Sequence, residues 1–300
     1  MRRNALAGVA LLLIAILLAG CAYTGQAPTP PGLPAQDEDT GSYSFVFIAD
    51  AQADPEVGDY SAFANLARVA AAIGPVDQLI IGGDSVNDEW NEKENALFSE
   101  ALSPLISDIG YAIMAPGNHD RGMYQNIISS NPAGLFFAVF DSNEMGAASA
   151  QTVKWVYKQL EETVSLSSWR IVVMHHPMWT VADIPKDEQR AVTMREYFLP
   201  LLEEAEVDLI LCGHQHLYAR TLPMRGEGAA SDGTGIVQVM VSSGAKQAYH
   251  AGKRDYISVT EPIQSFLYVT ATKARLTVTA YNADGEVFDS FSIAKEGSGD

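Results

Sequence analysis

The sequence predicts an α/β domain with a largely parallel core, on two observations. From Tyr43 onward, apolar β-branched runs alternate with helical patterns, as in βαβ units. The polar residues best suited to holding metal ions fall at the ends of those runs, where open parallel sheets bind ligands.

Strands are expected at 44–49, 77–82, 111–115, 135–140, 169–174 and 207–212, with helices at 60–73, 88–107, 150–164 and 188–205. After residue 216 the texture changes to short strands, expected at 235–242, 265–271, 275–281 and 286–293. Turn signals such as Asn282-Ala283-Asp284-Gly285 join them, so this half reads as antiparallel. One domain whose second half completes a sheet is expected; a separate C-terminal β domain is the alternative.

The front of the chain reads differently. Arg2 and Arg3 precede an apolar stretch from Ala5 to Ala19, and Leu18-Ala19-Gly20-Cys21 closes it. A basic start, an apolar stretch and small residues before a cleavage point make an export signal over residues 1–20. The stretch is short for a membrane-spanning helix, which needs roughly 20 apolar residues. Residues 21–42 are rich in Pro, Gly and acidic side chains and read as a flexible linker. The folded domain is expected over 43–296, with a tail at 297–300.

LAGC resembles the lipobox of bacterial lipoproteins, which implies a lipid on Cys21 and an exported protein tethered to the extracytoplasmic face of a membrane. An uncleaved anchor helix is the alternative, and it also tethers the chain. Of the two cysteines, the other is Cys212, inside the apolar run LILCGH. It reads as a small core residue, and one cysteine cannot form an internal disulfide.

The formal net charge is −18. Binding of nucleic acid through its phosphates is therefore not expected. So acidic a surface also repels anionic substrates at long range. An enzyme acting on anions would need a strong local positive charge, such as bound metal.

Five strand ends carry metal-competent residues: Asp50, Asp84, Asn118-His119-Asp120, His175-His176 and His214-Gln215-His216. Five of the six histidines lie in three of these ends; only His250 lies elsewhere, in a polar loop where a surface histidine is expected. Converging carboxylates repel unless one takes up a proton or cations neutralise them. Carboxylate, amide and imidazole donors suit Mn, Fe or Zn rather than Ca. Two ions about 3.5–4 Å apart, sharing one carboxylate, form a hydrolytic device, and Asp84 is the natural bridge. His214 and His216 are two apart, so an extended backbone would point them to opposite sides. A turn eased by Gly213 is expected to aim each at a different ion. His176 reads as a supporting or solvated residue. Trp90 and Trp179 read equally as pocket wall or core.

With these motifs in this order, residues 44–295 resemble the calcineurin-like metallophosphoesterase superfamily. Its signature reads here as Asp50-Ala51-Gln52, Gly83-Asp84-Ser85-Val86-Asn87, Gly117-Asn118-His119-Asp120, His175 and Gly213-His214-Gln215-His216. GHQHLYART at 213–221, the Val172 to His175 spacing and the ending TAYNADGEVFDSFSI are similar to the purple-acid-phosphatase-like branch.

The resemblance implies a four-layer α/β/β/α sandwich, two central mixed sheets flanked by helices. It also implies two divalent or trivalent metal ions, Fe, Mn or Zn. Asp50, bridging Asp84 and His216 would hold the first; Asp84, Asn118, His175 and His214 would hold the second. A metal-activated water would attack phosphorus in line, His119 would protonate the leaving oxygen or stabilise phosphoryl charge, and Asp120 would orient His119. The implied activity is hydrolysis of a small phosphate ester, foremost a phosphomonoester. A phosphodiesterase or nucleotidase, or a weakened metal- or phosphate-binding surface lipoprotein, is the alternative.

Two departures stand out. Gln52 replaces the usual histidine of the first motif, and Asn87 stands where purple acid phosphatases carry a ligating tyrosine. Gln52 is expected either to coordinate through its carbonyl or to hold a water at the first ion, leaving that site looser.

Overall fold

The central strands are apolar at most positions because both of their faces are covered. In β1 (Tyr43–Ile48), Phe45 and Phe47 face one apolar layer while Val46 and Ile48 face another. The structure, a computed structural model, describes residues 42–54, 58–120, 127–130, 134–143, 154, 157–158, 161 and 169–295. The expected export signal, linker, Cys21 and tail lie outside the described residues. So does most of the helix expected at 150–164.

After β1 come α1 (Ser61–Ile73), β2 (Gln78–Ile81), α2 (Glu92–Ile106) and β3 (Ala112–Met114). Next are β4 (Ile127–Ser130), β5 (Leu135–Val139), β6 (Trp169–Val173), α3 (Pro185–Tyr197), α4 (Leu199–Glu204) and β7 (Leu209–Cys212). Then follow β8 (Tyr218–Thr221), β9 (Met224–Arg225), β10 (Gly228–Ala229), β11 (Val237–Met240), β12 (Ile257–Glu261), β13 (Ser265–Ala271), β14 (Arg275–Asn282) and β15 (Val287–Ala294).

Two mixed sheets result. The first runs β15-β14-β13-β1-β2-β3 and the second β12-β8-β11-β7-β6-β5-β4. β1, β2 and β3 are mutually parallel, as are β5, β6, β7 and β11. The sheets pack face to face through Phe45, Phe47, Ile80, Phe137, Ile171, Leu211, Val239 and Leu267. The opposite face of the first sheet is covered by Phe63, Leu66 and Ala70 of α1 and Phe98 and Leu102 of α2. Met194 of α3, with Phe198 and Leu202, covers the second over Phe136, Val172 and Ile210. This is the expected four-layer sandwich. Arg220 of β8 ties the layers together at one side: its Nε and Nη2 donate to Asp289 of β15 at 2.7 and 3.0 Å, and Tyr218 Oη donates to the same carboxylate at 2.6 Å.

The structure departs from the sequence reading in two places. The helix expected over 188–205 is two helices, because Pro200 has no N–H to continue the ladder. β4, β8, β9, β10 and β12 were not expected; β8 follows the GHQH turn after Leu217 alone, where the motif reads as loop. The C-terminal strands join the first sheet, as the sequence reading of one domain expected. β13 pairs antiparallel with β1, Val46 opposite Tyr268, so the chain's end completes the first sheet.

Candidate metal centre

Parallel strands bring the five motifs to one edge. Asp50, Asp84 and Asn118 follow β1, β2 and β3, which are neighbours in the first sheet; His175 and His214 follow β6 and β7, neighbours in the second. The two edges meet. Asp50 Oδ2 accepts from the His214 backbone N–H at 2.7 Å. His175 Nδ1 donates to Gly82 O at 2.9 Å, and its Nε2 lies 3.2 Å from Asp84 Oδ2. His214 Nδ1 is 3.3 Å from His175 Nε2. The donor atoms of Asp50, Asp84 and His175 all lie within 4.8 Å of one another, as do those of His175, His176 and His214.

Backbone strain marks the same residues. Asp50, Asp84, His214 and His216 have φ of 49, 53, 81 and 52°, in the left-handed region. Each costs on the order of 1–3 kcal/mol, and such strain gathers at functional sites. The turn that re-aims the two histidines is therefore made by the histidines themselves, not by Gly213 as expected. Gly213 serves close approach: a Cβ there would sit 2.5 Å from Asp50 Oδ2.

A buried oxygen with nothing to accept from is costly. Asp50 Oδ1, Gln52 Oε1 and Asn118 Oδ1 are all buried and have no hydrogen-bond partner among the described residues. They come from two carboxylate or amide positions after β1 and one after β3, and the Asp50 carboxylate lies beside the imidazoles of His175 and His216. Metal cations fit that donor set: hard oxygens and neutral nitrogens, with no protein donor left to satisfy them. His216 Nε2 stands 3.9 Å from Asp50 Oδ1, and its Nδ1 donates to Gln247 O at 3.2 Å.

The charges support the same fit. Burial pushes the Asp50 carboxyl up to about 8, with His175 pulling down and Asp84 pushing further up. For Asp84, burial also opposes charge, but the neighbouring His175 overrides it and holds the carboxyl well below the usual range. Burial works against a charged His175, yet Asp84 pushes that imidazole up to about 9. Burial holds His216 down to about 4, and His214 is also lowered by burial, with Asp187 pulling partly back. Protons on Asp50 and His175 thus do part of what cations do in this cluster.

Gln52 is fully buried, and its Nε2 donates to Val86 O at 2.9 Å. That bond fixes the amide with its orphaned Oε1 on the other side. Asn87 instead spends its Nδ2 on Glu94 Oε1 at 2.7 Å and Ala53 O at 3.1 Å. Gln52 thus keeps a buried oxygen with no partner among the described residues, whereas the Asn87 amide nitrogen is held by Glu94 and Ala53.

His119 lies beside the cluster, its backbone N–H donating to Asp84 Oδ1 at 2.9 Å. The expected orienting role of Asp120 is not what the structure holds. Asp120 is buried and accepts from Ser85 N at 2.8 Å and Gly117 N at 2.5 Å, locking two motif loops together. His119 Nδ1 donates to the Asn87 carbonyl at 2.8 Å. A backbone carbonyl fixes the ring and turns Nε2 toward Lys246. The Asp120 side chain follows the backbone of 117–120 inward because those two N–H groups have no strand partner.

His176 is buried, with Nδ1 2.8 Å from Ser142 Oγ, so it is a held residue and not a solvated one. Trp179 is core, Trp90 and His250 are exposed, and Cys212 is a buried free thiol. Two neighbours of the cluster carry no sequence motif. Asp187, near the start of α3, lies with Oδ1 3.0 Å from His214 Nε2 and accepts from Gln215 Nε2 at 2.9 Å. Lys246, in the loop after β11, places Nζ 3.4 Å from His119 Nε2. An acidic residue in a first helical turn and a lysine in a loop are both ordinary in sequence; only position after a parallel strand hinted at Lys246.

Comparison with known proteins agrees with this geometry. A family profile described as calcineurin-like phosphoesterase matches residues 43–218. An uncharacterized protein of Mycobacterium tuberculosis is 33% identical over 149 residues, covering 49% of this chain and 26% of its own length. Purple acid phosphatase 3 of Arabidopsis thaliana is 27% identical over 128 residues, covering 41% of this chain and 31% of its own. The matched segment thus spans under a third of these curated relatives. Among solved structures, a purple acid phosphatase from yellow lupin (Lupinus luteus) seeds superposes with a TM-score of 0.70 at 16% identity, over 85% of this chain and 54% of that one. An anchor protein of the Plasmodium inner membrane complex superposes with a TM-score of 0.64 at 15% identity, over 84% of this chain and 89% of that one.

Proposed function

This chain belongs to the calcineurin-like phosphoesterase family, and from that premise we propose that it is a phosphohydrolase using two metal ions, acting foremost on phosphomonoesters. The observation that carries the proposal is the set of three buried, partnerless oxygens on Asp50, Gln52 and Asn118. Asp50, Gln52, Asp84 and His216 would hold one ion, and Asp84, Asn118, His175 and His214 the other. When bound, such ions lower the pKa of water and neutralise charge on phosphoryl oxygens.

The chain's own groups supply the rest. His119 keeps its Nδ1 proton on the Asn87 carbonyl and turns Nε2 toward Lys246, so Nε2 is the nitrogen that would serve the leaving oxygen or the phosphoryl charge. Asp187 holds His214 in one tautomer, with the proton on Nε2 and Nδ1 free to coordinate. Asp120 keeps the loops bearing Asp84 and Asn118 in register.

The experiment is a metal count per chain with assays of p-nitrophenyl phosphate and bis-p-nitrophenyl phosphate under added Mn. Two metals with monoester cleavage support the proposal. Diester preference would move the assignment to a phosphodiesterase. Fewer metals with no turnover would favour a binding or anchoring role, the reading that the neutral Gln52 and the likeness to the Plasmodium anchor protein support.

We also propose that residues 43–296 form the catalytic unit, exported and tethered by a lipid on Cys21. The basic start, apolar stretch and LAGC support this, and no helix among the described residues is long and apolar enough to cross a membrane. Cys21→Ser should move the protein from the membrane fraction to the soluble one; retention in the membrane would refute the lipid anchor.

A further inference from the structure

We infer that Lys246 recognises the phosphoryl group by charge and favours doubly charged phosphomonoesters over singly charged diesters. The preference for monoesters rests on the phosphohydrolase reading above; the phosphate contact does not.

The loop that carries Lys246 is pinned to the metal-site strand. Ser243 N donates to Ala49 O at 2.8 Å, Gly244 N to Asp50 O at 2.8 Å and Ala245 N to Gln52 O at 3.1 Å. On the other side, Gln247 O accepts from His216 Nδ1 at 3.2 Å. Residues on both flanks of Lys246 are thus fastened to segments that bear metal-competent side chains. The backbone around Lys246 is held in place, and its half-buried side chain brings the ammonium to His119.

Its surroundings lack a counter-ion. Lys246 is half-buried and forms no ion pair among the described residues; its one hydrogen-bonding neighbour is His119 Nε2, at 3.4 Å. The carboxylates whose charge it feels are Asp84, Asp50 and Glu94. Asp50 and Asp84 belong to the ligand set, and Glu94 is spent on Asn87 and Tyr60. Arg190, the cation on the Asp187 side, donates to Ser142 O and Asn143 O. With cations on the two aspartates, Lys246 would stand beside net positive charge with nothing to offset it. An anion between Lys246, His119 and the ions offsets it, and a dianion does so more fully than a monoanion. His119 comes from the first sheet and Lys246 from the second, so the pair grips an oxyanion from both sides of the edge.

The test compares wild type with Lys246→Met and Lys246→Arg, each loaded with Mn and checked for metal content. Inorganic phosphate is titrated by calorimetry, and kcat/KM is measured for p-nitrophenyl phosphate and bis-p-nitrophenyl phosphate. Lys246→Met is expected to keep two metals and to weaken phosphate binding by about tenfold to a hundredfold. Its monoester kcat/KM should fall about tenfold further than its diester kcat/KM, and Lys246→Arg should recover most of both losses. Unchanged phosphate affinity with two metals bound would overturn the inference, as would loss of metal together with phosphate binding. A wild type that cleaves neither ester would sink the phosphohydrolase reading alone; the phosphate titration would still decide the role of Lys246.

Discussion

Gly117→Ala is the sharpest steric probe of the site. A Cβ at Gly117 would lie 2.1 Å from Asp84 Oδ1, 2.3 Å from Asp84 N and 2.8 Å from Asp84 Cγ. Side-chain carbons do not approach closer than about 3 Å, so the carboxylate or the 117 backbone must move by about 1 Å. The backbone is poorly able to retreat. Gly117 N–H is held by Asp120 Oδ1 at 2.5 Å, and Gly117 O accepts from Asn143 Nδ2 at 2.9 Å. The shift therefore falls on Asp84, the carboxylate proposed to serve both ions. A misplacement of about 1 Å at a reacting centre costs about a hundredfold in rate, and overpacking costs about 1–3 kcal/mol of stability. The assay is metal stoichiometry and affinity, with turnover of p-nitrophenyl phosphate. Gly228→Ala is the control, because a Cβ there meets nothing within 4 Å. A Gly117→Ala protein that binds two metals with wild-type affinity and turns over normally would refute the argument.

Three further outcomes follow from the geometry. Asp187→Asn should weaken metal affinity about tenfold to a hundredfold while leaving the circular dichroism spectrum unchanged, since it loosens His214 without touching the core; unchanged affinity would count against the role. Asp50 and His175 are raised to about 8 and about 9 from 3.8 and 6.5, so both carry protons at neutral pH in the metal-free protein. Because both folded values are raised, their contribution to metal-free stability is complete below the ordinary values and is lost as pH rises through about 8 and 9. The metal-free Tm should therefore fall across that window, and metal loading at neutral pH should release about two protons per chain, read by calorimetry in buffers of different ionisation enthalpy. Asp289→Ala leaves Arg220 and Tyr218 of the opposite sheet without their acceptor and should cost about 2 kcal/mol in urea unfolding; a cost near zero would show that this cross-sheet tie is idle.

The strands and the metal-competent residues were legible for one physical reason. Doubly covered strands such as Phe45–Ile48 are apolar throughout, so a polar residue at the end, like Asp50, stands out against them. His175 and His214 stood out in the same way after β6 and β7. What the sequence hid depends on contacts far apart along the chain. Asp187 looks like any acidic residue near the start of a helix until His214 is folded against it. Lys246 is a single loop lysine until its flanks pair with Ala49 through Gln52. The partner of His119 was misread because a carbonyl, that of Asn87, leaves no mark in side-chain identity, whereas the adjacent Asp120 does. The helix break at Pro200 was readable, but the apolar periodicity on both sides of it outweighed the proline. β8 was hidden because only Leu217 separates it from the GHQH turn.

The central claim is that donors from two sheets surround a pair of cations. Crystals grown with Mn and measured at an anomalous wavelength test it most directly. The account predicts two peaks about 3.5–4 Å apart, one among Asp50, Gln52, Asp84 and His216 and the other among Asp84, Asn118, His175 and His214. Peaks elsewhere, or none with Asp50 Oδ1, Gln52 Oε1 and Asn118 Oδ1 satisfied by protein donors instead, would contradict it.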